Sequence, residues 1–373
     1  MTTLRLIADD LTGALDSAVQ FTGRFGSVPV LFGLGPVAPG GGFALDLNCR
    51  DGSEDEAVAR TRATAPALGS GGIAFKKIDS LLRGFWPAEL AAVAALGLFD
   101  QIVLAPAFPA QGRATRVGRQ WMRGDDRRWL MLPVDPEAEL TRRGLQVGRG
   151  LSSTGGAAGA APPVLLCDAE HDDDLVALVR AARQLPGMTL WCGSAGLARA
   201  LASMPPKPVE PLGWPHLVLV GSNHAVSWSQ VERIRSGHPR SLVHFDGDAA
   251  ASAALIGEAL LRHGRCVAVA DLPAGLAAAD AMVEIEARLR AVLPLIRRPA
   301  VLTVVGGEPF AAVCRALEVE ALAAEGEWRP GVPASRIVGG LWAGTRCFSK
   351  SGAFGDEDLL VDLLGTTITS EAS

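Results

Sequence analysis

Two adjacent carboxylates, Asp9 and Asp10, directly follow a strand-like run, Leu4-Arg5-Leu6-Ile7-Ala8, and directly precede a helix-like one. In open α/β sheets, ligands bind in the crevice beyond the carboxyl ends of the strands. Paired carboxylates there need a sugar hydroxyl, a cation or a proton to relieve their repulsion. The helix is marked by Leu11, Ala14, Leu15, Ala18 and Val19 at the spacing of a buried stripe, with Gly23 its expected terminator. Capping of that helix by one Asp is the plain structural alternative. A second cluster, Lys76, Lys77, Asp79 and Arg83, lies at and just past a strand end. Side chains alternate along a strand, so the two lysines point opposite ways. One is a ligand candidate and the other pairs with a carboxylate. Arg83 can clamp a planar carboxylate bidentately, and Arg113, after the Pro-rich turn Ala105–Gly112, is a second anion clamp.

Three further strand ends run into small residues and then a helix: Cys192-Gly193-Ser194-Ala195-Gly196, Val220-Gly221-Ser222-Asn223-His224 and Val305-Gly306-Gly307-Glu308. Glycine lets backbone amides approach a ligand there, and a helix N-terminus favours phosphate. Tight βα turns use glycine for its conformation alone, so each loop is a weak signal by itself. Ser349-Lys350-Ser351-Gly352 adds a lysine that could neutralise phosphate charge. None of these is a GxxxxGK[ST] loop, and no GxGxxG follows a strand, which disfavours a P-loop NTPase and a dinucleotide-binding dehydrogenase.

Composition narrows the classes. A net charge of -5 over 373 residues, with no basic stripe, gives no case for nucleic acid. No apolar segment reaches membrane-spanning length, and no charged leader precedes an apolar run. The six cysteines, Cys49, Cys167, Cys192, Cys266, Cys314 and Cys347, show no CxxC pair and read as buried free thiols, as in a reducing cytoplasm. The histidines form no HxxxH or HExxH pair, so a zinc hydrolase has no support. Lysine is scarce, and Lys76, Lys77 and Lys350 fall within these motifs, where a compact ammonium differs from a guanidinium fork.

The chain reads as α/β, with two domains, each a mainly parallel sheet flanked by helices. The Pro-rich stretch 205–215 is the expected linker between an N-terminal domain, 1–204, and a C-terminal domain, 216–373. A Gly/Ala/Ser-rich loop is expected from Leu151 to Pro163. In the first half, the pattern predicts a helix from Ser53 with Glu56 completing a capping box. It also predicts a strand at Gly72–Ile78, a helix from Pro87 to Leu96 closed by Gly97, and a strand at Gln101–Leu104. A helix near Asp173–Leu185 and a strand at Met188–Cys192 complete that half. The second half predicts strands at Leu217–Val220, Ser241–Phe245, Cys266–Ala270 and Ala300–Val305. Helices are predicted from Ser227, over Ala250–His263, Ala278–Leu293 and Leu359–Leu364.

Taken together, the motifs resemble the four-carbon acid sugar kinase family over nearly the whole chain. The resemblance rests on IADDLTGALD at 7–16, KKIDSLLRG at 76–84, PAFPAQGRAT at 106–115, GSAGLARAL at 193–201, VGSN at 220–223, GGEP at 306–309 and KSGAFGDED at 350–358. It implies an acid-sugar-binding domain followed by a nucleotide-binding domain, with the active site in the interdomain cleft. It implies transfer of the γ-phosphoryl of ATP to the terminal hydroxyl of threonate, erythronate or a 3-oxo-tetronate. Asp9, Asp10, Lys76, Asp79 and Arg83 would face the sugar acid; Ser222, Gly306, Gly307, Glu308 and Gly352 would face ATP. With Mg²⁺ bridging the phosphates, the needs of phosphoryl transfer make Asp10 the first choice for proton acceptor among Asp9, Asp10 and Asp79. The expected partners are a small sugar acid and ATP, and a homodimer is compatible with this organisation. Pro309 stands where the family usually has Thr, Leu81 where it has Thr and Phe85 where it has Asn. Pro309 motivates the rival reading, a non-catalytic sugar-acid or nucleotide-binding protein that keeps the fold.

Overall fold

The computed structural model describes residues 3–33, 41–124, 126–151, 163–272 and 275–365. Residues 152–162 of the expected Gly/Ala/Ser loop lie outside the described residues. The chain divides into two compact units, Met1–Lys207 and Pro208–Ser373.

In the first unit the strands are β1 (Leu4–Ala8), β2 (Val28–Phe32), β3 (Phe43–Asp46), β4 (Ile73–Lys77), β5 (Gln101–Ala105), β6 (Arg113–Arg116), β7 (Arg119–Arg123), β8 (Trp129–Met131), β9 (Val147–Arg149), β10 (Val164–Leu166) and β11 (Thr189–Gly193). A parallel sheet runs β2-β3-β1-β4-β11-β5-β10-β9. Every residue of β1, β3, β4, β5 and β10 is buried, as expected for parallel strands covered on both faces. β6, β7 and β8 form a separate antiparallel sheet. The helices are α1 (Leu11–Gln20), α2 (Thr22–Phe25), α3 (Glu54–Thr64), α4 (Trp86–Ala94), α5 (Pro136–Arg142), α6 (Asp172–Ala182) and α7 (Ala195–Ala202). Leu45, Leu47, Ile78, Leu82, Trp86, Leu90 and Val93 belong to one core cluster that ties α4 to the strand ends.

Local chemistry explains where the elements stop. Asp10 caps α1 by accepting from the Gly13 N–H at 3.0 Å. Gly23 does not terminate that helix. α1 closes at Phe21 and Gly23 sits inside α2, where a Cβ would lie 2.0 Å from the Pro205 carbonyl oxygen. It is small because the chain passes close by. Ser53 caps α3, but the Glu56 carboxylate turns to Arg60 instead of closing the expected box. Pro87 lies in the first turn of α4, where a missing N–H costs nothing.

In the second unit the strands are β12 (His216–Val220), β13 (Leu242–Phe245), β14 (Arg265–Ala270), β15 (Val301–Val305), β16 (Ala321–Arg329), β17 (Val332–Val338) and β18 (Arg346–Lys350). The order is β13-β14-β12-β15-β18-β17-β16; β17 pairs antiparallel with both β18 and β16, and the pairs from β13 to β18 are parallel. The helices are α8 (Ala225–Gly237), α9 (Ala249–His263), α10 (Ala278–Val292), α11 (Gly307–Ala316) and α12 (Leu359–Leu363). Val218, Val231, Val267, Phe348 and Leu360 belong to its core.

In each unit the first strand lies between the third and the fourth: β3-β1-β4 and β14-β12-β15. Successive connections therefore leave to opposite sides of the β1/β4 and β12/β15 pairs. Such switch points open a crevice at the carboxyl ends of the strands. All six cysteines are buried free thiols. No helix among the described residues is long and apolar enough to cross a membrane.

Candidate active site

At the β1/β4 switch point, Arg50 joins the two adjacent carboxylates. Its guanidinium donates to both oxygens of Asp9, at 2.7 and 2.8 Å, and to both of Asp10, at 2.6 Å each. Asp10 also accepts from Thr12 Oγ1 at 2.6 Å and from the Gly13 N–H. Arg50 is delivered by the chain beyond β3, where the Cys49 and Arg50 N–H groups donate to the Asp9 carbonyl. Just before it, the Asn48 N–H donates to Asp46 Oδ1 at 2.7 Å, with Asn48 in the left-handed region. Past β4, Arg83 holds Asp79 bidentately at 2.7 and 3.1 Å.

The two lysines separate as side-chain alternation requires. Lys76 is fully buried and pairs with the equally buried Glu89 of α4 at 2.6 Å. Lys77 lies on the other face. A Cβ on Gly13 would come within 2.4 Å of Asp10 Oδ1 and 2.8 Å of Lys77 Nζ, so the head of α1 leaves room for this ammonium only because residue 13 is glycine. Among the described residues neither Lys77 nor Arg113 is ion-paired to a carboxylate; Arg113 donates to the Gln111 carbonyl and side-chain oxygens. Lys76 is thus the lysine committed to a carboxylate, and its ammonium is not open to a substrate. Lys77 remains the ligand candidate.

These contacts set the protonation states. Burial acts to push the Asp9 carboxyl up, but Arg50, with Lys76 and Lys77, outweighs it and holds Asp9 below the usual carboxylate range. Burial opposes Asp79 likewise, and Arg83 and Arg50 hold it down. Asp46 behaves differently. Burial, joined by the charges of Asp10 and Asp9, pushes it up to about 7 against the Asn48 N–H and Arg50. Burial also lowers Arg113.

In the second unit, Val220, Val305 and Lys350 are register partners across β12, β15 and β18. The loops that follow them therefore lie side by side. Pro309, in the first turn of α11, fills the space between two of them: a Cβ on Gly221 would meet its ring at 2.7 Å, and one on Gly306 at 2.9 Å. Gly306 takes φ +112. Gly352 abuts Ser222, whose Oγ would lie 1.9 Å from an added Cβ, and its carbonyl accepts from Ser227 Oγ at 2.7 Å. Glu308 is exposed at the head of α11. Lys350 is buried, its Nζ donating to the Ser351 carbonyl at 3.0 Å, and burial lowers it to about 8.

A family model for a sugar-binding N-terminal domain matches residues 4–133, and one for a nucleotide-binding C-terminal domain matches 217–360. A D-threonate kinase of Cupriavidus necator is 34% identical, the alignment covering 95% of each chain. The chain belongs to the four-carbon acid sugar kinase family. A D-threonate kinase of Bordetella bronchiseptica is 29% identical, again over 95% of each chain. A solved structure from Salmonella typhimurium LT2 shares the fold, with a TM-score of 0.74 at 20% identity over 97% of this chain and 98% of that one.

Within this family fold, Asp9, Asp10, Lys77, Asp79 and Arg83 gather around one switch point. Arg113 borders the same group, since the charges of Asp79 and Arg83 act on it. Ser222, Gly306, Gly307, Glu308, Pro309, Lys350 and Gly352 lie on the three neighbouring loops of the second unit. The Gly193-Ser194 loop is not an open amide cradle. A Cβ on Gly193 would strike the Ala105 carbonyl at 2.2 Å, and Ser194 is a buried cap for α7. Arg50, Asp46 and Glu89 were missed from the sequence. Arg50 lies just past β3, a four-residue strand that the sequence pattern did not mark, so nothing in the sequence placed it at a strand end.

Proposed function

We propose that the protein transfers the γ-phosphoryl group of ATP to a hydroxyl of a four-carbon sugar acid, with D-threonate the acceptor to test first. One observation carries this reading: a row of carboxylates fixed by guanidinium groups stands beside two cations, Lys77 and Arg113, that form no ion pair with any carboxylate among the described residues. Ionised carboxylates accept from hydroxyls, while ammonium and guanidinium groups hold a carboxylate. A polyhydroxy acid satisfies both at once. The names of the family's domains and of its relatives support the same acceptor class.

Phosphoryl transfer is mostly positioning and charge neutralisation. Lys77, Arg83 and Arg113 hold the acid's carboxylate, and Asp10 and Asp79 orient its hydroxyls. Arg50 bridges Asp9 and Asp10 and offsets their mutual repulsion. The glycine loops at 221–222, 306–307 and 352 let backbone approach the nucleotide, and the Lys350 ammonium offsets phosphate charge. Mg²⁺ bound to ATP phosphates needs few protein ligands. Glu308, exposed at the head of α11, is the carboxylate placed to share it; bound there, the ion would neutralise phosphate charge. Pro309 does not disable the loop, because a first-turn residue has no intrahelical use for its N–H.

The test is a coupled ADP-release assay with ATP and Mg²⁺ against threonate and erythronate enantiomers and their 3-oxo forms. Acid-dependent turnover is expected. ATP binding without turnover on any acid supports the non-catalytic reading instead.

A further inference from the structure

Four carboxylates crowd the carboxyl end of the first unit's sheet, and three are held by arginine. Asp9 and Asp10 share Arg50, and Asp79 is clamped by Arg83. That grip holds Asp9 and Asp79 below the usual carboxylate range and makes them weak bases, and it occupies both oxygens of Asp10. Asp46 is the exception. It closes β3 in register with Ala8 of β1, which is itself in register with Lys77 of β4. Side chains at matching positions of parallel strands point to one face, so Asp46 and Lys77 flank β1 on the side covered by α1. Among the described residues its Oδ1 accepts from the Asn48 N–H and no cation is ion-paired with it, and it is 6% exposed.

Resting on the kinase reading above, we propose that Asp46 is the catalytic base that takes the proton from the attacking hydroxyl. The hydroxyl oxygen forms the new O–P bond as the bond from the γ-phosphorus to the bridging oxygen of the nucleoside triphosphate breaks. The hydroxyl proton passes to an Asp46 oxygen, and the nucleoside diphosphate leaves with the bridging oxygen. The charged groups around Asp46 are Asp9 and Asp10 at the head of α1, Arg50 on its own loop and Lys77 across β1. Its elevated value, near 7, suits a base operating at neutral pH. Asp10, the first choice from the sequence, accepts from Arg50, Thr12 and Gly13, and becomes a holder of substrate.

Asp46→Asn tests this with little disturbance, because the amide oxygen still accepts from Asn48. The expected result is a fall in kcat of roughly 100-fold or more, with KM for the acid and its calorimetric affinity within threefold. Wild-type kcat should rise with pH through neutrality, and that limb should vanish in the variant. Retention of kcat within threefold, or loss of turnover matched by loss of acid binding, overturns the assignment. So does a flat wild-type kcat profile between pH 5.5 and 8.5, which needs no variant at all. If the wild type turns over no four-carbon acid, the kinase reading and the base fall together. If wild type and Asp46→Asn turn over alike, only the base falls.

Discussion

Replacing Arg50 by Met tests the keystone of the candidate site. The Arg50 side chain is 11% exposed, Asp9 is wholly buried and Asp10 is 21% exposed. Loss of one partner of a buried pair costs about 3–5 kcal/mol, because the other charge is stranded. Lys76 and Lys77 partly compensate Asp9, and water relieves Asp10, so about 3 kcal/mol is expected. In a unit of this size that is roughly 6–12 °C of melting temperature. Calorimetric scans of wild type, Arg50→Met, Asp9→Asn and the double variant measure it. The double variant should recover most of the loss, with a coupling of about 2 kcal/mol. The pH dependence must also change sign. In the wild type, Asp9 is held below its ordinary value, so its contribution is present at neutral pH and lost as pH falls through that lowered value. Without Arg50, burial raises Asp9. The variant should then be more stable at pH 5 than at pH 7.5. A variant within 1 kcal/mol of wild type at pH 7.5, or a double variant no better than Arg50→Met, refutes the reasoning.

Gly13→Ala would ordinarily favour a helix, by roughly 1 kcal/mol, but its Cβ collides with Asp10 Oδ1 and displaces Lys77 Nζ. KM for the sugar acid should rise at least tenfold with a melting temperature within a few degrees, and an unchanged KM rules out Lys77 as a ligand. Gly352→Ala drives a methyl into Ser222 Oγ; nucleotide affinity by calorimetry should fall tenfold or more, and adding Ser222→Gly should restore part of it. Lys350, with its value lowered to about 8, is charged below that pH and neutral above it. Wild-type affinity for ATP should therefore decline between pH 7 and 9, and Lys350→Met should abolish the decline.

Which parts were legible in the sequence follows from what each element depends on. Buried parallel strands such as Leu4–Ala8 and Val301–Val305 are apolar runs with one polar residue each, Arg5 and Thr303, so their positions followed from hydropathy. β6 and β7, Arg-Ala-Thr-Arg and Arg-Gln-Trp-Met-Arg, carry no such signal, because they form a small separate antiparallel sheet with half-exposed arginines. β16 and β17 were hidden by small residues and by register shifts at Ala324/Gly326 and Glu327/Arg329. β3 has four residues and ends in Asp46, which reads as a turn signal until its neighbours are known. The carboxylates and lysines of the site were visible because they sit next to the strands that carry them. Their pairing was not, since Arg50 reaches Asp9 across 41 residues of chain. Choosing Lys77 over Lys76 needed the position of Glu89 on α4.

The charges at the first switch point bear on how the site meets an anion. Asp9, Asp10 and Asp79 are outnumbered by Arg50, Arg83, Lys77 and Arg113, and Asp46 restores the balance only when it ionises. An anionic substrate entering this group adds negative charge beside Asp46, which must raise its value further. The acidic limb of kcat, which reports the substrate complex, should then lie at higher pH than the acidic limb of kcat/KM, which reports the free enzyme. A base near a net cationic ligand would give the opposite order. Measuring both profiles on one acid therefore separates Asp46 acting beside the substrate carboxylate from a base facing the metal–nucleotide end of the reaction. A kcat limb at or below that of kcat/KM would place the titrating group elsewhere.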